Sequence, residues 1–201
     1  MKTITLWQPW ASLLALGYKT VETRSWPTNH RGPLAIHAAG RPCDPHIFYQ
    51  YPFQRVFLLP EVGIAHPSEL PLGAVLAIVD LADVKPSKEL APPGGLPRVG
   101  WLQLAFGDFT PGRFAWMLKD RRPLEVPIGA RGKQGLWDWD PPPGFELPDV
   151  QAAPGPSPHS PKPKGMWLYN LEAMQGEQGV EAAMRRYLRE QGYDVAGEYR
   201  D

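Results

Sequence analysis

The chain has 201 residues, 43% of them hydrophobic, and its 21 basic and 21 acidic side chains cancel to a net charge of zero. That length can bury one main core, while a single cysteine, Cys43, excludes an intramolecular disulfide and a thiolate metal cluster. No apolar run reaches the roughly 20 residues that a membrane-spanning helix needs, and Trp7-Gln8-Pro9 interrupts any signal-like start, so a reducing, cytoplasmic setting is the expectation.

The first predicted element is a short helix within residues 7–14. Pro9 suits a first turn, Gly17 suits the left-handed residue that ends a helix, and Trp10, Leu13 and Leu14 share one inward face. The chain then reverses into a strand at 20–26. Alternation there puts Thr20, Glu22, Arg24 and Trp26 on one side, with Lys19 at the strand's entrance. A strand at 31–39 follows, then a helix near 44–56. Residues 72–81 form a continuous apolar run, as expected of a strand buried on both faces. Residues 85–112 are rich in Pro and Gly and read as a long excursion. Strands are predicted again at 114–118, 122–124 and 132–137. Short strands separated by Gly/Pro turns suit a small barrel.

At residue 141 the texture changes. Residues 141–165 hold nine prolines, the composition of an extended, semi-rigid linker. Beyond it, Val180, Ala183, Met184, Tyr187 and Leu188 recur at helical spacing, which predicts an amphipathic helix in a C-terminal segment spanning 166–201. The expected organisation is a domain at 1–140, a linker at 141–165 and this helical segment.

The polar cluster at Lys19, Glu22 and Arg24 invites two readings. Taken alone, Glu22 and Arg24 make a surface ion pair worth at most about 1 kcal/mol. The pattern Gly-x-Lys-x-x-Glu-x-Arg at 17–24, behind Gln8-Pro9-Trp10-Ala11, resembles the activating signal cointegrator homology (ASCH) family. The resemblance continues through Arg31 to Ala39, Leu72 to Leu81, Phe114 to Leu118, Arg122 to Leu124 and Gly132 to Trp137. It implies an α+β, PUA-like fold: a small twisted β-barrel with short flanking helices, here with the Pro-rich linker and C-terminal helix added. It also implies contact with RNA or DNA.

Charge distribution agrees with that implication. Residues 1–60 carry six basic against two acidic side chains, and 111–140 six against four, so the basic excess falls on the motif segments. Lys19, Arg24 and Arg31 are candidate phosphate contacts. Trp7, Trp26 and Tyr18 offer faces for an unpaired base, and Gln8 belongs to the motif. Trp10, Trp116 and Trp137 are expected in the core. His37 has small strand neighbours, Ala35 and Ala39, and joins the candidate binding residues. His30, His46 and His66 fall at irregular spacing, so no metal site is indicated, and no cofactor is implied.

The function expected is binding of RNA, single-stranded nucleic acid or a modified nucleoside in a cleft around the motif. The alternative implied by the resemblance is a hydrolase, either an N4-acetylcytidine amidohydrolase or a ribonuclease, with Lys19 and Glu22 catalytic. A lysine acts as a base only when its pKa is lowered; Arg24 would lower it and Glu22 would oppose this. Glu22 stands where the amidohydrolases carry threonine. In a nucleobase pocket its carboxylate would accept from an exocyclic amine, as carboxylates do from cytosine N4.

Overall fold

The computed structural model describes residues 1–151, apart from residue 51 and residues 93–96. The predicted C-terminal helix, and the linker beyond residue 151, lie outside the described residues.

Six strands make one mixed sheet: β1 (Lys2–Leu6), β2 (Val21–Arg24), β3 (Gly32–Ala38), β4 (Ala74–Pro86), β5 (Phe114–Gly129) and β6 (Leu136–Asp138). Their spatial order is β2-β5-β4-β3-β1-β6. Only β1 and β3 run parallel; the other neighbours are antiparallel. The sheet curls into a half-barrel, an α+β arrangement with short helices in which β2 and β6 form the two edges. Among the described residues no helix is long and apolar enough to cross a membrane.

Helix α1 (Trp10–Leu16) fills one face of the curl. Ala11 and Leu14 pack with Ile4, Leu34, Ile36, Leu76, Leu81 and the fully buried Trp116. Leu13 points the other way, into a second cluster with Phe48, Phe53, Phe57 and Phe106. Helix α1 is thus buried on two sides, which explains its apolar face. Trp10, expected in the core, is only half-buried, edge-on to Phe53. Pro9 offers no side-chain cap, so Gln8 supplies one from outside the helix. Its Oε1 accepts from the Ser12 N–H at 3.1 Å, and its Nε2 donates to the Pro71 carbonyl at 2.7 Å. That satisfies one of the donors a helix start leaves orphaned.

Strand β4 is apolar on both faces for a reason the sheet makes plain. Leu76, Val79 and Leu81 face α1, whereas Val75 and Ile78 join Ala35, Trp137 and Trp139 on the far face. The helix expected at 44–56 is two short turns, α2 (Pro45–Phe48) and α3 (Phe53–Phe57), because Pro52 cannot continue the first and instead caps the second. The segments at 114–118 and 122–124 are one strand. Asp120 takes a left-handed φ of 48° there, and register shifts against β4 absorb the polar run. Strand β1, absent from the sequence reading, is central, lying between β3 and β6. Two short helices, α4 (Ser87–Leu90) and α5 (Trp101–Phe106), lie within the excursion at 85–112.

Chain contact with the sheet persists past residue 140. Phe145 packs edge-on against the buried Trp139 at 5.5 Å, and the Gln151 N–H donates to the Arg121 carbonyl. A fragment ending at residue 151 is expected to unfold cooperatively in urea. One ending at residue 140 should be less stable by about 1–2 kcal/mol through loss of the Phe145 contact. Equal midpoints for the two fragments would contradict that packing role.

Candidate functional site

The turn into β2 is clamped from both sides. Gly17, at φ 87°, closes α1, and the Lys19 N–H donates back to the Leu13 carbonyl at 3.1 Å. From α5, the Gln103 side chain completes the clamp. Its Oε1 accepts from the N–H groups of Thr20 (2.8 Å) and Val21 (3.1 Å), and its Nε2 donates to the Tyr18 carbonyl (3.0 Å). The outer edge of β2 is covered as well. Thr23 Oγ1 accepts from the Asp108 N–H, and the Thr23 carbonyl accepts from Arg113. An edge strand so covered is held in place and closed to further strand pairing.

This framework buries Lys19, whose residue exposure is 1%. Its Nζ donates to the Val21 carbonyl and lies 3.4 Å from Glu22 Oε2. The other Glu22 oxygen, Oε1, is 3.6 Å from Arg24 Nη1, and the Arg24 guanidinium lies 5.7 Å from the centre of the Trp26 ring. One carboxylate therefore bridges a buried ammonium and a half-exposed guanidinium. The Lys19 pKa is lowered, and the cause is burial, with Glu22 opposing it; the expectation that Arg24 lowers it is corrected. Nor is Lys19 a solvated turn residue. Its side chain sits behind Glu22, inside the wall.

Glu22, Arg24 and Trp26 open onto a cleft of about 860 Å³. Trp7, 57% exposed, stands at its mouth with the Arg41 guanidinium 4.5 Å from its ring centre. Asp108 and Arg113 form another part of the wall, paired at 3.2 Å, while Lys133 and Gln134 enter from the loop between β5 and β6. Cleft volume and lining match a site for a small organic group.

Other residues singled out from the sequence lie elsewhere. Gln8 braces α1, as described. Tyr18 donates to Glu61 at 3.4 Å, with burial first and the Glu61 charge second raising its pKa. Arg31 pairs with Asp83 at 3.2 Å on the surface. His37 is fully buried. Its Nε2–H donates to the Ala130 carbonyl at 2.9 Å, its ring meets Trp137 edge-on, and burial lowers its pKa. A Cβ on Gly132 would stand 2.6 Å from the His37 ring, so this loop lies close against the histidine before it turns up to present Lys133 and Gln134.

Sequence reasoning missed Gln103, Asp108, Arg113, Lys133 and Gln134. Gln103 lies on the short helix α5, Asp108 and Arg113 follow it before β5, and Lys133 and Gln134 lie in the loop before β6, in a segment expected to be strand.

A curled half-barrel sheet packed by one helix, with an ion-paired polar cleft at its β2 edge, defines the class of α+β domain to which this fold belongs. Residues 4–92 match the family model of the ASCH domain, so this part of the chain carries an ASCH domain. It is 31% identical over 141 residues to Activating signal cointegrator 1 of Mus musculus, and 30% identical over 138 residues to that of Homo sapiens. Each match covers 68% of this chain but 22% of the relative, so the chain spans about a fifth of the length of these relatives. Among solved structures, the crystal structure of ASCH from Zymomonas mobilis is similar, with a TM-score of 0.41 and 17% identity over 69% of this chain and 87% of that one.

Breaking a buried ion pair from one side costs about 3–5 kcal/mol, because a charge is left uncompensated. Lys19→Met should therefore lower stability by about 3 kcal/mol in urea unfolding, and adding Glu22→Gln should restore part of the loss. A Lys19→Met protein within about 0.5 kcal/mol of wild type would contradict the buried pair. The pH dependence has a definite sign. With Lys19 below the ordinary 10.5, the unfolded chain binds more protons between the folded pKa and 10.5. The stability difference between wild type and Lys19→Met should therefore shift in favour of wild type as pH rises through that window.

Proposed function

We propose that the cleft binds a nucleobase of single-stranded nucleic acid or of a modified nucleoside, with a cytosine-type base preferred. The observation that carries this reading is the placement of Glu22 at the cleft wall, gripped by Lys19 from behind and Arg24 from the side. A carboxylate has about four acceptor positions. Each cation faces a different oxygen, which leaves acceptor capacity for an exocyclic amine in the cleft. Trp26 is braced edge-on by Trp116 at 4.8 Å, so it is a rigid surface against which a ring can rest. Base–aromatic stacking contributes about 1–3 kcal/mol.

A second reading, hydrolysis of an N4-acylated cytosine, draws on the lowered Lys19 pKa. Because Lys19 lies behind Glu22, any proton it exchanges with a ligand passes through that carboxylate. Acetate release from N4-acetylcytidine, absent in Lys19→Met, would support this; no release would leave binding alone. The same lysine would serve the ribonuclease reading.

The binding proposal is tested by titrating the protein with cytidine and uridine. Wild type should prefer cytidine by about tenfold, the value of one well-made carboxylate–amine contact. Glu22→Gln, confirmed as folded by circular dichroism, should lose the preference. Equal affinity of wild type for the two nucleosides would overturn it.

A further inference from the structure

The cations around the cleft fall into two sets. Arg24 and Arg113 line the interior, and each is paired with a carboxylate that also lines it, Glu22 at 3.6 Å and Asp108 at 3.2 Å. Charge on these two pairs is balanced, which suits a neutral base, and Lys133 is the remaining cation in the lining. Two cations at the rim differ. Arg41 and Lys133 are exposed, and among the described residues neither has a carboxylate within salt-bridge distance. Each lies instead over a tryptophan ring, Arg41 over Trp7 at 4.5 Å and Lys133 over Trp137 at 5.6 Å.

These two perches flank β1 at the end of the strand that leads to Trp7. Arg41 follows β3 and stands over Trp7, just past the end of β1; Lys133 precedes β6 and comes from the other side of β1. A cation held over an aromatic face keeps its full charge while its position is restricted. The energy of that contact is about 0.5–1 kcal/mol at exposed sites, small enough for a phosphate to draw the cation toward it.

From this separation we infer that the physiological ligand is a single strand rather than a free nucleoside, with one base in the cleft and its neighbouring phosphates on Arg41 and Lys133. The exposed Trp7 ring then supports the adjacent nucleotide at the mouth. This inference rests on the base-binding reading above and assigns the electrostatic part of affinity to the rim, not to Lys19, Arg24 or Arg31.

The test compares cytidine with a fluorescein-labelled oligocytidylate octamer, using the 201-residue protein over a series of salt concentrations. The octamer should bind at least tenfold more tightly than cytidine at low salt, with affinity that falls as salt rises. Arg41→Ala and Lys133→Ala should each reduce the octamer-to-cytidine affinity ratio several-fold, and each should reduce the magnitude of the log–log salt slope by about 0.7. Both residues are exposed, so thermal melts should confirm folded variants. Cytidine binding with an octamer no tighter overturns the strand inference and spares the base-binding reading. An octamer salt slope unchanged in both variants also overturns it. Failure of both probes to bind overturns the two together.

Discussion

The burial of the Lys19 ammonium is the constraint around which the site is organised. A charge out of water needs a partner with good geometry, and Glu22, three residues on in the edge strand, supplies it. That requirement fixes the Glu22 side chain against the wall, brings Arg24 onto its second oxygen and sets the guanidinium near Trp26. Gln103 satisfies the backbone donors of the turn, which lets this part of the chain be buried at all. The motif Gly-x-Lys-x-x-Glu-x-Arg is therefore a folding unit, and the proposed base site is built on it. Its glycine ends the helix, its lysine anchors the wall and its carboxylate faces outward into the cleft.

The fold and the electrostatics are two consequences of the same arrangement. The curled sheet is packed by α1 on one face and by Trp137 and Trp139 on the other, so residues on its strands have little freedom. The cleft draws on the β2 edge and on loops docked against it. One of those loops runs over His37 at Gly132 with no room for a side chain, and this closeness sets where Lys133 and Gln134 emerge. Around the cleft, Arg24 and Arg113 are paired with carboxylates, whereas among the described residues Arg41 and Lys133 have none within salt-bridge distance.

Much of this was legible in the sequence, and the limits have physical causes. The end of α1 at Gly17, the polar strand and the doubly buried β4 follow from periodicity and from glycine's conformational freedom, which are local properties. The depth of Lys19 does not follow, because the turn that carries it is fixed by Gln103 and by the β5 pairing of β2, both some 80 or more residues away in sequence. Arg31 and Tyr18 have the right chemistry but are drawn to Asp83 and Glu61, partners brought near only by the fold. Strand β1 is five residues of alternating Thr and Ile or Leu between Lys2 and Leu6, a clear period-2 signal overshadowed by the helix motif that follows. The break between the strands expected at 114–118 and 122–124 is a bend at Asp120 within one strand, since pairing with β4 continues on both sides of it.

The central claim is that Glu22 and Trp26 face a bound base while the far side of the sheet stays out of contact. Its most direct measurement is a cytidine titration followed by the tryptophan indole N–H signals in a two-dimensional nitrogen–proton NMR spectrum, assigned by single substitutions. The account predicts that the Trp26 signal shifts progressively to saturation while the Trp139 signal stays fixed. Shifts centred on Trp139 with Trp26 unmoved would contradict it.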